Sequence, residues 1–308
     1  MAAIYEPRPI AHTRFDSNSY IHGSVPTSFD AFLYKPISGS DQLKLVIRLG
    51  INLRPMSPRL IPLELDAGKK PFWTTSWSGG DWQRFVNAAT VQANMWNNKF
   101  WLLPPRIPSL FTDFDRKLDA FPNQAYRPTI RCELAVDFNA GTSAHRTIEV
   151  ANLNTTMMPG RTPSPGTFRS HALLYDSLDA VPWAYPLGNE AGQPRVHHVI
   201  AHEIGHAIGL GHIGTLRKTP LCDLAVHLES VGLDKSLPNT RGGRNSLDCY
   251  GVGQGSDVIG NIMGAGDSFT TENARPWIWA IIAMRQQPGE SMHWQAVTSD
   301  PGPGVWVR

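Results

Sequence analysis

The chain has 308 residues, 41% hydrophobic and 18% charged, a globular balance with room for one large domain or two small ones and for a sizeable core without disulfide help. With 28 Lys and Arg against 26 Asp and Glu the net charge is only +2, which argues against a protein that coats duplex nucleic acid through a basic surplus. The 27 glycines and 25 prolines predict many turns and irregular connections and argue against a helical bundle.

In chain order, residues 1–40 are polar and turn-rich and read as an extended N-terminal arm. Glu6 and Pro7 stand where a secretory signal needs 7–15 apolar residues, so the expectation is a cytoplasmic protein or export by a non-classical or injection route. Leu43 to Leu53 reads as a strand with Gly50 as a bulge. After an aromatic turn region over 73–82, Asp81 is expected to cap a helix over about 82–97, with Phe85, Ala89, Val91, Met95 and Trp96 on its apolar face. Short strands follow over Phe100 to Leu103, Thr129 to Phe138 and Arg146 to Leu153, with a connecting excursion over 105–128. A Pro/Gly loop precedes a further strand, Phe168 to Tyr175. A helix is expected to begin near Pro194, then an irregular stretch over 213–270, a buried helix over about 274–286 and a Pro/Gly-rich tail.

The longest strictly apolar run, Trp277 to Met284, is eight residues, far short of the roughly 20 needed to span a bilayer. Three cysteines, Cys132, Cys222 and Cys249, make no disulfide scaffold, and no CxxC pair offers a cysteine zinc site. Cys222 and Cys249 could pair; three separate thiols are the alternative. Five of the ten tryptophans fall between Trp73 and Trp101, and core packing is a better account of them than a sugar-binding platform.

Chemistry concentrates in Ala201 to His212, AHEIGHAIGLGH. On a helix His202 and His206 project from one face about 6 Å apart along the axis, a spacing that lets two imidazoles hold one zinc ion. Glu203, rotated by about 100°, is placed to reach a water at the metal rather than to join the two histidines. Val196, Val199, Ile200, Ile204, Ala207 and Ile208 supply the buried side. Gly209 is expected to end the helix in a left-handed conformation and to turn the chain so that His212 becomes a third ligand. Three neutral imidazoles and an open position are the layout of a catalytic metal site rather than a structural one. His197 and His198 lack the spacing to join these ligands. The five fixed positions of HExxHxxGxxH would arise by chance in only about one such chain in 10⁴–10⁵, so accident is a poor account of them.

This segment resembles the metzincin clan of zinc endopeptidases, which pairs HExxHxxGxxH with a downstream methionine in a tight turn. Gly260-Asn261-Ile262-Met263-Gly264 fits that turn, and Met263 would form an apolar floor beneath the imidazoles. Ala265 stands where astacins and serralysins carry a tyrosine, and Ile213 after His212 matches no defining residue, so the subfamily is not assigned. The resemblance implies an α+β fold: a twisted mixed sheet with two helices above a cleft, then an irregular lower part with a C-terminal helix. The domain would run over 41–290, its upper part to about 212 and its lower part over 213–290, with a tail over 291–308.

The activity implied is hydrolysis of protein or peptide substrates with one Zn²⁺ ion bound by His202, His206 and His212, and with Glu203 as general base and then acid. The strand ending at Tyr175 would present an edge to an extended substrate. A different class of function is a non-catalytic zinc-binding interaction module on the same scaffold, against which the intact Glu203 argues. A third reading concerns role: a peptidase toxin or effector passed to its target by a delivery apparatus, with an inhibitor unknown. No nucleic acid and no membrane span are expected.

Overall fold

A computed structural model of the chain describes residues 4–17, 27–38, 42–61, 72–104, 129–153, 174–185, 195–210, 260–264, 266–285 and 294–302. Fourteen strands are formed there: β1 (Ile4–Tyr5), β2 (Ala11–Ser17), β3 (Thr27–Tyr34), β4 (Pro36–Ser38), β5 (Leu43–Pro55), β6 (Leu60–Ile61), β7 (Phe72–Thr75), β8 (Trp101–Leu103), β9 (Ile130–Asp137), β10 (Arg146–Leu153), β11 (Leu174–Asp176), β12 (Trp183–Tyr185), β13 (Arg195–His197) and β14 (Gln295–Val297). Three α-helices accompany them, α1 (Gly79–Ala93), α2 (Val199–Ala207) and α3 (Arg275–Arg285). The fold is α+β, with a mixed sheet of ten strands and few helices.

β5 organises the sheet. It pairs in parallel with β9 and β10 and antiparallel with β3. Its segment LKLVIRLGI is buried almost without interruption, as a strand covered on both faces requires. β2 extends the sheet beyond β3, β8 and β14 lie beyond β9, and β11 pairs in parallel with β10. Helix α1 packs on β9 and on α2, α2 on β3, and α3 on β2. One hydrophobic cluster joins these layers: Leu45, Ile47 and Leu49 from the sheet, Phe85 and Ala89 from α1, Ile200 and Ile204 from α2, and Trp277 and Ile281 from α3.

Several expectations are corrected. Within the stretch read as an extended N-terminal arm, β2 and β3 pair into the sheet, and Phe29, Ala31 and Leu33 alternate into the core from β3 and are wholly buried. The C-terminal tail likewise returns to the sheet, where β14 pairs with β8. Gly50 is no bulge: its register with β9 is continuous, and it is needed because an added Cβ would lie 2.9 Å from Ala140 Cβ. Helix α1 is capped by Ser78, whose hydroxyl accepts from the Asp81 N–H at 3.0 Å, so Asp81 is the third helical residue rather than the cap. Val91 faces solvent at 69% exposure, while Gln92 takes the buried position. The metal-motif helix starts at Val199, five residues after Pro194, because Arg195–His197 is drawn into a hairpin with Trp183–Tyr185.

Several of the described tryptophans pack as structural residues. Trp96 is wholly buried and donates its indole N–H to Ala201 O at 3.0 Å, and Trp277 and Trp77 donate to Glu133 O and Val150 O. Only Trp73 of the 73–101 group is largely exposed. Cys132 is buried in β9, where desolvation pushes its thiol well above the usual range. Cys222 and Cys249 lie outside the described residues. Among the described residues no helix is long and apolar enough to cross a membrane.

Candidate metal centre

Helix α2 is short and almost entirely buried, so its exposed-end peptide groups need partners from elsewhere. His198 holds the cap position without a side-chain bond to the helix. Gln92 of α1 does that task from across the interface. Its Oε1 accepts from the N–H of Ile200 at 3.0 Å and of Ala201 at 3.4 Å, while its Nε2 donates to Asp179 O at 2.7 Å. Replacing Gln92 by Leu orphans two buried donors and one acceptor, and is expected to destabilise the fold by about 1–3 kcal/mol. Urea denaturation is the measurement; wild-type stability would show that α2 needs no cap from α1.

At the other end Gly209 has φ of +96°, the conformation expected of it. The Gly209 N–H bonds to His206 O at 3.0 Å and the Leu210 N–H to Gly205 O at 2.9 Å, the paired contacts of a Schellman turn. That turn has a chemical consequence, because it brings the Leu210 carbonyl to 2.7 Å from His206 Nδ1. His202 is held in the same manner from the Met263 turn, with Ile262 O at 2.8 Å from its Nδ1.

A carbonyl oxygen can only accept, so Nδ1 carries the proton in both rings and each Nε2 presents a lone pair. The two Nε2 atoms then face each other at 3.1 Å. Two lone pairs so close repel unless a cation lies between them. The separation is close to the roughly 3.3 Å between two nitrogens bound at 2.0–2.1 Å to one tetrahedral ion. His202, Glu203 and His206 form the one such group among the described residues, their ligand atoms all within 4.8 Å of one another, and they could hold a metal ion. Burial also keeps both rings neutral: desolvation pushes His206 down to about 4, and desolvation with the neighbouring His206 and His197 pushes His202 well below the usual range.

Glu203 is buried at 7% exposure beside a cation and a phenol. Arg146, at the start of β10, donates from Nη2 to Ala207 O at 2.9 Å, placing a positive charge at the negative end of α2. Burial lowers the Arg146 pKa and raises that of Tyr175, and the Glu203 charge acts on both, favouring the guanidinium and disfavouring a phenolate.

Met263 lies against α2 at Gly205. It is wholly buried and packs into the space left by the missing side chain of Gly205, between the two histidines on α2. A Cβ built on Gly205 would stand 2.1 Å from Met263 Sδ and 3.0 Å from the Trp96 ring. His197 packs edge-on to His202 with ring centroids 5.2 Å apart, but neither it nor His198 belongs to the metal-binding group. His212 lies outside the described residues, as do residues 168–173 of the strand expected over Phe168 to Tyr175; its last two residues fall in β11, Leu174–Asp176, which pairs with β10.

Sequence reading misses Gln92, Gly205, Asn261 and the two carbonyls. Gln92 left a signal, since it continues the Phe85 and Ala89 face as a lone polar residue; the carbonyls of Ile262 and Leu210 act through the backbone and leave none. Comparison with protein-family models, curated proteins and solved structures finds no match to this chain. The chemistry must therefore be read from the residues themselves.

Proposed function

We propose that the chain is a zinc endopeptidase of metzincin type. The observation that carries this reading is the pair of Nε2 lone pairs converging at 3.1 Å, each ring fixed by a backbone carbonyl on its other nitrogen, with a carboxylate in the same group. Two neutral imidazoles suit zinc better than a hard cation, which would call for oxygen ligands. His212, two residues after Leu210 in the sequence, is the third ligand in this reading.

A bound zinc ion supplies Lewis acidity, which acidifies water and polarises a substrate carbonyl. The chain does the rest. His202 and His206 keep their lone pairs directed at one point because their other nitrogens are tied to Ile262 and Leu210. Glu203 would take the proton from the attacking water as its oxygen adds to the carbonyl carbon, and deliver it to the amine nitrogen as the C–N bond of the tetrahedral intermediate then breaks. The Glu203 charge in turn favours the Arg146 guanidinium, so a cation accompanies the carboxylate at the site. Met263 closes the floor with an apolar, polarisable side chain that offers no competing oxygen.

Incubation of the zinc-loaded chain with a mixed peptide library, read by mass spectrometry, tests the activity. Cleavage is expected to disappear with a chelator and to return when zinc is restored. Absence of any chelator-sensitive cleavage, with zinc bound, would replace this reading by the non-catalytic zinc-binding module.

A further inference from the structure

The Met263 turn is held by a pair of asparagines that bond to each other. Asn261 and Asn273 are both wholly buried. They meet amide to amide: Asn261 Nδ2 donates to Asn273 Oδ1 at 2.9 Å, and Asn273 Nδ2 donates back to Asn261 Oδ1 at 3.1 Å. Thr270 completes the set. Its N–H donates to Asn273 Oδ1 at 2.8 Å and its hydroxyl accepts from Asn261 Nδ2 at 3.1 Å, in the capping box of the 3₁₀ turn Thr271–Ala274 that leads into α3.

Such a pair has little advantage in stability over two apolar residues of the same shape, since its hydrogen bonds mainly offset the desolvation of the amides. What it provides is direction. Asn261 Oδ1 accepts from the Met263 N–H at 2.8 Å. That N–H belongs to the peptide group joining Ile262 to Met263, and the carbonyl of the same group is Ile262 O, the partner of His202 Nδ1. The peptide is planar and trans, so its N–H and C=O point in opposite directions from one rigid plate. Fixing the N–H end fixes the direction of the C=O end.

We infer that Asn261 and Asn273 are positioning residues for the metal ligand His202. Asn261 aims the Ile262 carbonyl through one peptide plane, and Asn273 holds Asn261 from the start of α3. The imidazole orientation is thus tied to the C-terminal helix, far along the chain from the histidine motif. Partners of this kind fix the tautomer of a ligating histidine and raise its basicity. The inference rests on the metal-site reading and not on peptidase activity.

The test compares wild type, Asn261→Ala, Asn273→Ala and His202→Ala for zinc affinity by chelator competition and for the visible absorption of the cobalt-loaded protein. Ile47→Val serves as a core control that loosens packing away from the turn. All are measured below the unfolding temperature of the metal-free protein. Both asparagine variants are expected to bind zinc about 10–100-fold more weakly, with a shifted cobalt spectrum, while the control keeps wild-type affinity and spectrum. Where Asn273→Ala does not fold, Asn273→Asp keeps the oxygen that accepts from Asn261 and Thr270 but sets a carboxylate oxygen against Asn261 Oδ1 in place of the donor, and a weaker zinc affinity is expected there too. Wild-type affinity and spectrum in the asparagine variants that fold would overturn the inference while leaving the metal site standing. Wild-type zinc binding by His202→Ala would instead overturn the site reading beneath it.

Discussion

Replacing Glu203 by Ala is expected to leave zinc bound and to reduce peptide hydrolysis by about 10²–10⁴-fold, the range for loss of a positioned general base. The two effects separate because the carboxylate and the imidazoles do different things. His202 and His206 keep both lone pairs and both carbonyl partners when Glu203 is shortened, so the metal affinity should change little. Proton transfer from water to the leaving amine loses its carrier. Glu203→Gln keeps the shape and removes the proton acceptor, and should be as inactive as Glu203→Ala. Single-turnover cleavage with stoichiometric zinc measures both variants. Turnover near wild type in either would end the assignment, and loss of zinc from both would make Glu203 a ligand instead.

Gly205→Ala is expected to destabilise the fold by about 1–3 kcal/mol or more, the reverse of the gain that Ala normally brings inside a helix. The added Cβ would stand 2.1 Å from Met263 Sδ, well inside contact distance. Relief cannot come from the other side, where the Trp96 ring lies at 3.0 Å and its indole is tied to Ala201 O. Met263 must therefore move, and the turn that aims Ile262 O at His202 moves with it. Met263→Ala alone should cost about 2–5 kcal/mol through the cavity it leaves. In the double variant the new methyl occupies part of that cavity, so the losses should fall short of their sum by about 0.5–3 kcal/mol. Urea denaturation of the four proteins measures this. Strict additivity, or a Gly205→Ala protein as stable as wild type, would mean that Met263 does not sit under α2.

What could be read without the structure is the part of the site written in side chains at helical spacing. His202 and His206 four residues apart, Glu203 between them and Gly209 after them form a local pattern, because helix geometry converts sequence separation directly into a shared face. The strand Arg146 to Leu153 was legible for the same reason, its buried residues recurring with the period of a strand. Boundaries were less legible. Ser78 and Asp81 are both acceptable caps by residue type, and the structure uses Ser78.

The segments read as an N-terminal arm and a tail both contribute strands to the sheet, β14 beside a strand far away in sequence and β3 beside the nearby β5. A polar, turn-rich composition does not reveal that β3 slots beside β5, or that β14 returns to β8.

By itself, then, the sequence determined a local chemistry: two histidines and a glutamate on one turn of helix, a glycine to end it, and a methionine in a later tight turn. Only the tertiary structure decided how those groups are held. Gln92 caps α2 from another helix, Gly205 yields its space to Met263, and Asn261 and Asn273 aim a carbonyl at His202 across the core. The physical reason is one of range. The spacing of His202 and His206 is set by the 3.6-residue turn of their own helix, whereas the orientation of His202 is set by a hydrogen bond to backbone about 60 residues away, and backbone carries no residue-specific signal.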